Sequence, residues 1–77
     1  YTIIEYNIAN ESYGYAKIYN SKGQEIFTIK EGFIVKNWYV YQWFGQDKNG
    51  NNLPSGVYYF VVSYDGKRMV KKMVMLK

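Results

Sequence analysis

The sequence predicts an all-β domain in which about six short antiparallel strands close into a sandwich or a barrel. Two observations carry this. Ten Tyr, four Phe and two Trp join the β-branched residues at the apolar positions, a composition that suits strands. Turn-forming residues also interrupt the chain at short, near-regular intervals, and almost nothing reads as helix.

The first strand is predicted over Thr2 to Ile8, where Thr2, Ile4, Tyr6 and Ile8 share one face and Ile3, Glu5 and Asn7 the other. Asn10-Glu11-Ser12 reads as a turn. Tyr13 to Tyr19 follows, with Gly14, Ala16 and Ile18 inward, small enough to leave room for a bulky ring across the sandwich. Asn20-Ser21-Lys22-Gly23 is a hairpin loop, and Gly23 suits a positive φ. In the third strand, Gln24 to Ile29, the odd spacing of Ile26 and Ile29 breaks alternation and predicts a bulge. Lys30-Glu31-Gly32 reads as a turn.

Asn37 to Phe44 places Tyr39, Tyr41 and Trp43 on one face, with Trp43 as the expected buried ring. The longest irregular stretch runs from Gly45 to Gly56. Val57 to Tyr64 is apolar enough for a central strand, Asp65-Gly66 is the clearest two-residue hairpin signal, and Arg68 to Leu76 returns as the last strand. Residues 1–77 are expected to form one domain.

Composition excludes several chemistries. Without Cys there is no disulfide, thiolate nucleophile or Cys-bound metal. Without His the usual general base at neutral pH is missing, so Ser12, Ser21, Ser55 and Ser63 have no imidazole to activate them. Glu5, Glu11, Glu25, Glu31, Asp47 and Asp65 are scattered, and nothing in their spacing pairs them for acid–base work. Asp47-x-Asn49-x-Asn51 is similar to the start of a calcium loop. Asn52 and Tyr58 stand where such a loop needs Gly and Glu, so a turn is the reading. No cofactor, metal or catalytic residue is expected.

The formal charge of +4 permits anionic partners without requiring them. Lys67, Arg68, Lys71, Lys72 and Lys77 alternate with Met and Val, which fits an amphipathic strand guarded by lysines better than a nucleic-acid surface. Exposed Tyr and Trp rings could bind carbohydrate, but in a domain this small most rings are expected in the core. No apolar run is long enough for a membrane helix.

Five motifs in order carry a family resemblance. They are Thr2-Ile3-Ile4-Glu5-Tyr6-Asn7-Ile8, then Lys17-Ile18-Tyr19-Asn20 through Gly23-Gln24-Glu25-Ile26, then Trp43-Phe44-Gly45-Gln46-Asp47-Lys48-Asn49-Gly50, then Leu53-Pro54-Ser55-Gly56-Val57-Tyr58-Tyr59-Phe60, and finally Lys71-Lys72-Met73-Val74-Met75-Leu76-Lys77. Together they resemble the C-terminal sorting domain of the type IX secretion system of Bacteroidota-type bacteria, and the related Ig-like domain of flagellar hook-capping proteins. The resemblance implies a small Ig-like antiparallel β-sandwich of six or seven strands, the lower count leaving out the family's first strand. Tyr19, Gly23, Trp43, Gly45, Asp47, Gly50, Pro54, Ser55, Gly56 and Tyr58 would be its structural motif residues.

The function implied is a non-catalytic secretion signal that directs cargo across the outer membrane to the cell surface or medium. Its partners would be translocon and sortase components, met through the last hairpin, with Lys71, Lys72, Met73, Val74, Leu76 and Lys77 as candidate contacts. The alternative is an extracellular structural module, a filament or surface-protein subunit. The Asn-Pro-rich segment common ahead of the family's Thr-x-Ile strand is absent before Thr2. A sandwich short of a strand would expose an edge, which copies of the domain or neighbouring segments could complete by strand addition.

Overall fold

The computed structural model describes residues 1–76. Six strands form in chain order: β1 (Thr2–Ile8), β2 (Ser12–Asn20), β3 (Glu25–Ile34), β4 (Asn37–Trp43), β5 (Gly56–Tyr64) and β6 (Lys67–Met75). All pairings are antiparallel. β1 and β4 make a two-stranded sheet that faces a four-stranded sheet in the order β3-β2-β5-β6. The fold is thus the predicted small Ig-like sandwich.

The alternation read from β1 sets its register: Ile4, Tyr6 and Ile8 are buried and Ile3, Glu5 and Asn7 exposed. β2 contributes Ala16 and Ile18, β4 contributes Trp43, and β5 contributes Tyr58, Phe60, Val62 and Tyr64 to one cluster. β5 is interior, paired on both sides, which its apolar run requires. Asp65 and Gly66 close the last hairpin with φ of 48° and 69°, the two positive values a type I′ turn demands. Ser12 Oγ accepts a hydrogen bond from the Asp65 amide (3.1 Å), and the Tyr64 hydroxyl accepts one from the Ala9 amide (3.1 Å). These bonds tie the β1–β2 connection to the β5–β6 turn.

β3 bulges twice. Its pairing to β2 skips Ile29 between Thr28 and Lys30, and skips Ile26 between Glu25 and Phe27. Both isoleucines are the unpaired extra residue, and both pack half-buried against the core. Their irregular spacing in sequence is therefore the bulge itself.

Two expectations are corrected. The turn expected at Lys30-Glu31-Gly32 does not form, and β3 runs on to Ile34. Gly32 keeps a positive φ of 115° but stays opposite Gly14, and Ile34, opposite Ser12, is fully buried. Pairing along β2 overrides the local turn composition. At Gly14 an added Cβ would lie 2.2 Å from the Ser63 carbonyl oxygen of the adjacent strand, so β5 leaves no space for a side chain there. The second concerns Met73, which faces inward at 7% exposure, opposite Tyr58, so it belongs to the core and not to a contact surface.

Candidate docking edges and surfaces

Among the motif residues, Trp43 anchors the long loop. Its indole is 2% exposed and meets the Tyr58 ring edge to face, and its Nε1–H donates to the Gln46 carbonyl at 3.0 Å. The chain can turn there because Gly45 adopts a φ of 74°. Asp47 then organises the loop. Its Oδ1 accepts from the amides of Asn49 and Asn51, both at 2.9 Å, and its Oδ2 accepts from the Asn51 side chain at 3.2 Å. The Asn51 amide first, then that of Asn49, holds the Asp47 carboxyl below its ordinary pKa. Gly50 turns the tip with a φ of 82°.

The calcium-like spacing is therefore an Asp-centred turn whose carboxylate is already engaged by the backbone. The Lys48 amide donates to the Ile26 carbonyl at 2.9 Å and fastens the loop to β3. Pro54 offers its carbonyl to the Tyr58 hydroxyl at 2.7 Å, Ser55 is exposed, and Gly56 opens β5 opposite Met75. Gly23 closes the Asn20 hairpin with a φ of 81°, while Tyr19, ahead of it, faces outward. These motifs build the fold; no group of acids among the described residues is placed to hold a metal ion.

The outer face of the larger sheet holds a feature that sequence reading missed. Lys17, its side chain only 13% exposed, lies between Glu25 (3.0 Å) and Glu31 (3.1 Å) and 4.7 Å over the Tyr15 ring. Hydrogen bonding to Glu25, then Glu31, raises the Lys17 pKa, and Lys17 in turn lowers that of Glu25. Both acids sit on β3, so only the β2–β3 register brings them to Lys17; no motif in one strand announces the triad. Beside it, Tyr19, Tyr59, Val61, Arg68 and Val70 line a shallow depression.

Four strand edges are also exposed, and they differ. β3 is blunted by its two bulges. β6 carries Lys67, Arg68, Lys71 and Lys72, all exposed. Both devices discourage unwanted pairing. β1 holds neither bulge nor lysine, and β4 (Asn-Trp-Tyr-Val-Tyr-Gln-Trp) holds no charged residue at all. No strand among the described residues pairs with the outer edge of either. Trp38 and Val40 on β4, 59% and 58% exposed, add apolar surface there. Of the predicted tail contacts, Lys71, Lys72, Val74 and Leu76 are exposed, Met73 is buried, and Lys77 lies outside the described residues.

Comparison with known proteins agrees with this architecture. No curated protein matches the chain. A solved structure, that of FLGD from P. aeruginosa, is similar over 91% of this chain at 27% identity and a TM-score of 0.66. The chain spans 56% of that protein, little more than half its length. The family model of the FlgD Ig-like domain matches residues 4–67, from within β1 to the start of β6. With the fold, the motif-bearing loop and most of the sequence all inside that match, the chain belongs to the FlgD Ig-like domain family.

Proposed function

We propose that the domain is a non-catalytic structural module that joins copies of itself through the free edge of β4. The observation that carries this reading is the contrast between edges: β3 and β6 are guarded, while β4 is regular, uncharged and flanked by exposed Trp38 and Val40. Two β4 strands can meet antiparallel about Val40, which sets Tyr39 against Tyr41 and Trp38 against Gln42. No like charges oppose in that register, and aromatic and β-branched cross-strand pairs stabilise it. Membership of a structural, non-enzymatic family supports a role without catalysis. An extracellular setting suits such a subunit. Sedimentation equilibrium over a wide concentration range tests the reading: mass should rise with concentration, and Val40→Lys should hold the chain monomeric without unfolding it. A strict monomer at every concentration overturns it.

A second reading has its own observation. β6 is an edge strand with Lys72 and Val74 exposed on its outer face, Lys71 exposed on the other, and exposed Leu76 just beyond its end, a segment suited to recognition by translocon and sortase components of an outer-membrane secretion system. In that reading the domain is a sorting signal, and its cargo ends secreted or at the cell surface. A reporter carrying residues 1–77 should be exported by a type IX-competent cell, and a reporter retained in the periplasm with an intact tail sinks this reading.

A further inference from the structure

The two sheets are unequal, and the shortfall lies over β6. β4 reaches β3 through the Phe27–Tyr41 and Lys30–Tyr39 contacts, and β1 reaches β5 through Tyr6 and Phe60. The outer edge of β1 therefore looks out over β6. Register places Lys67, Met69, Lys71, Met73 and Met75 on the inward face of β6, opposite Tyr64, Val62, Phe60, Tyr58 and Gly56. Met73 and Met75 are buried, but Met69 is 49% exposed and Lys67 and Lys71 are exposed on either side of it. This inward-facing row of cation, methionine, cation lacks a covering strand among the described residues.

We propose that the free edge of β1 accepts an extended strand from a partner protein, with an apolar side chain set over Met69 and acidic side chains facing Lys67 and Lys71. The proposal extends the edge-docking reading to a second edge and a different occupant. A strand paired with β1 would lie about one sheet spacing above β6, roughly 10 Å, close enough for its inward side chains to meet those of β6. Charge selects the occupant. Lys67 and Lys71 flank the apolar spot, and the chain carries a net +4. A second copy fits poorly. Two β1 strands centred on each other set Glu5 against Glu5, and like charges directly opposite oppose pairing. Thus the same domain has one edge suited to its own copies and one suited to an acidic, alternately apolar strand.

The probe is the capped peptide Thr-Glu-Thr-Val-Thr-Glu-Thr, titrated into the full chain while amide hydrogen exchange is followed by NMR. Protection should appear along β1, with Met69 methyl shifts. Replacing both Glu by Lys in the peptide, or Lys71→Glu in the protein, should weaken binding at least about tenfold. Methylating alternate peptide nitrogens in either phase should abolish it in the phase that points at the edge. No binding at millimolar peptide overturns the proposal, as does equal binding of the charge-reversed peptide or protection confined to another strand. Protection of β1 that grows with protein concentration alone would assign the edge to a second copy and also overturn it. Mass measured on the same samples separates the readings. Self-association that survives while β1 ignores the peptide leaves the β4 reading standing and removes this one.

Discussion

Trp43 and Tyr58 meet edge to face, with ring centroids 5.5 Å apart and planes at 72°. The contact joins the two sheets at the end where the long loop leaves β4 and returns into β5. Each ring also holds a loop carbonyl, Trp43 that of Gln46 and Tyr58 that of Pro54. One aromatic pair therefore closes both the core and the loop that the family motifs encode.

Truncating either ring should be severe. Trp43→Ala removes a buried indole and should cost about 3–5 kcal/mol, a large fraction of the stability of so small a domain. Tyr58→Phe keeps the ring and loses only the bond to Pro54, so about 0.5–1.5 kcal/mol is expected. Urea unfolding of the two variants, with Tyr58→Ala beside them, checks the order; a loss for Tyr58→Phe as large as for Tyr58→Ala would show that the hydroxyl, and not the ring, matters most at Tyr58.

Gly14 is fixed by a neighbour's backbone. An added Cβ would lie 2.2 Å from the Ser63 carbonyl oxygen and 2.9 Å from the Tyr64 Cβ. Neither atom can swing aside without moving β5. Gly14→Ala should destabilise by about 1–3 kcal/mol. Gly32→Ala has open space around its Cβ but a φ of 115°, so its cost should come from backbone strain alone. Melting curves that rank Gly14→Ala as harmless would contradict the β2–β5 register.

Acid should weaken the fold through Asp47 and Glu25. Both carboxyls have lowered pKa values in the folded chain, Asp47 through the Asn51 amide first and Glu25 through Lys17. A lowered folded value means the contribution is present above the unfolded carboxylate value, about 4, and lost as pH falls through the folded value. Lys17, with its raised value, works in the opposite window. Its contribution is complete below about pH 10.4 and lost as pH rises through the folded value. Thermal melts from acid to neutral pH should show the acid limb flatten in Asp47→Asn. An unchanged limb would mean the loop carboxylate is not linked to folding.

Much of this fold is legible in the sequence because alternation and turn chemistry are local signals. β1 shows its buried face at every second residue, and Asp65-Gly66 announces its hairpin. The bulges of β3 show in the misplaced Ile26 and Ile29. What fails is what depends on a distant partner. Lys30-Glu31-Gly32 has turn composition, yet pairing with β2 keeps it extended. The Lys17 triad exists only once β2 and β3 are in register. Met73 is different. Its inward face could be read from the alternation of Lys72, Met73, Val74 and Met75, but the tail motif draws attention to the segment as one surface. The unguarded edges of β1 and β4 become visible only when the strand order is known.

In the proposed assembly β4 offers its edge to a second copy. Amide hydrogen exchange, resolved by strand and repeated at rising protein concentration, tests it most directly. Protection should grow along Asn37–Trp43 and remain unchanged along the guarded edges of β3 and β6, and Val40→Lys should abolish the growth. Exchange in β4 that is independent of concentration, or new protection at β6 instead, would contradict the claim.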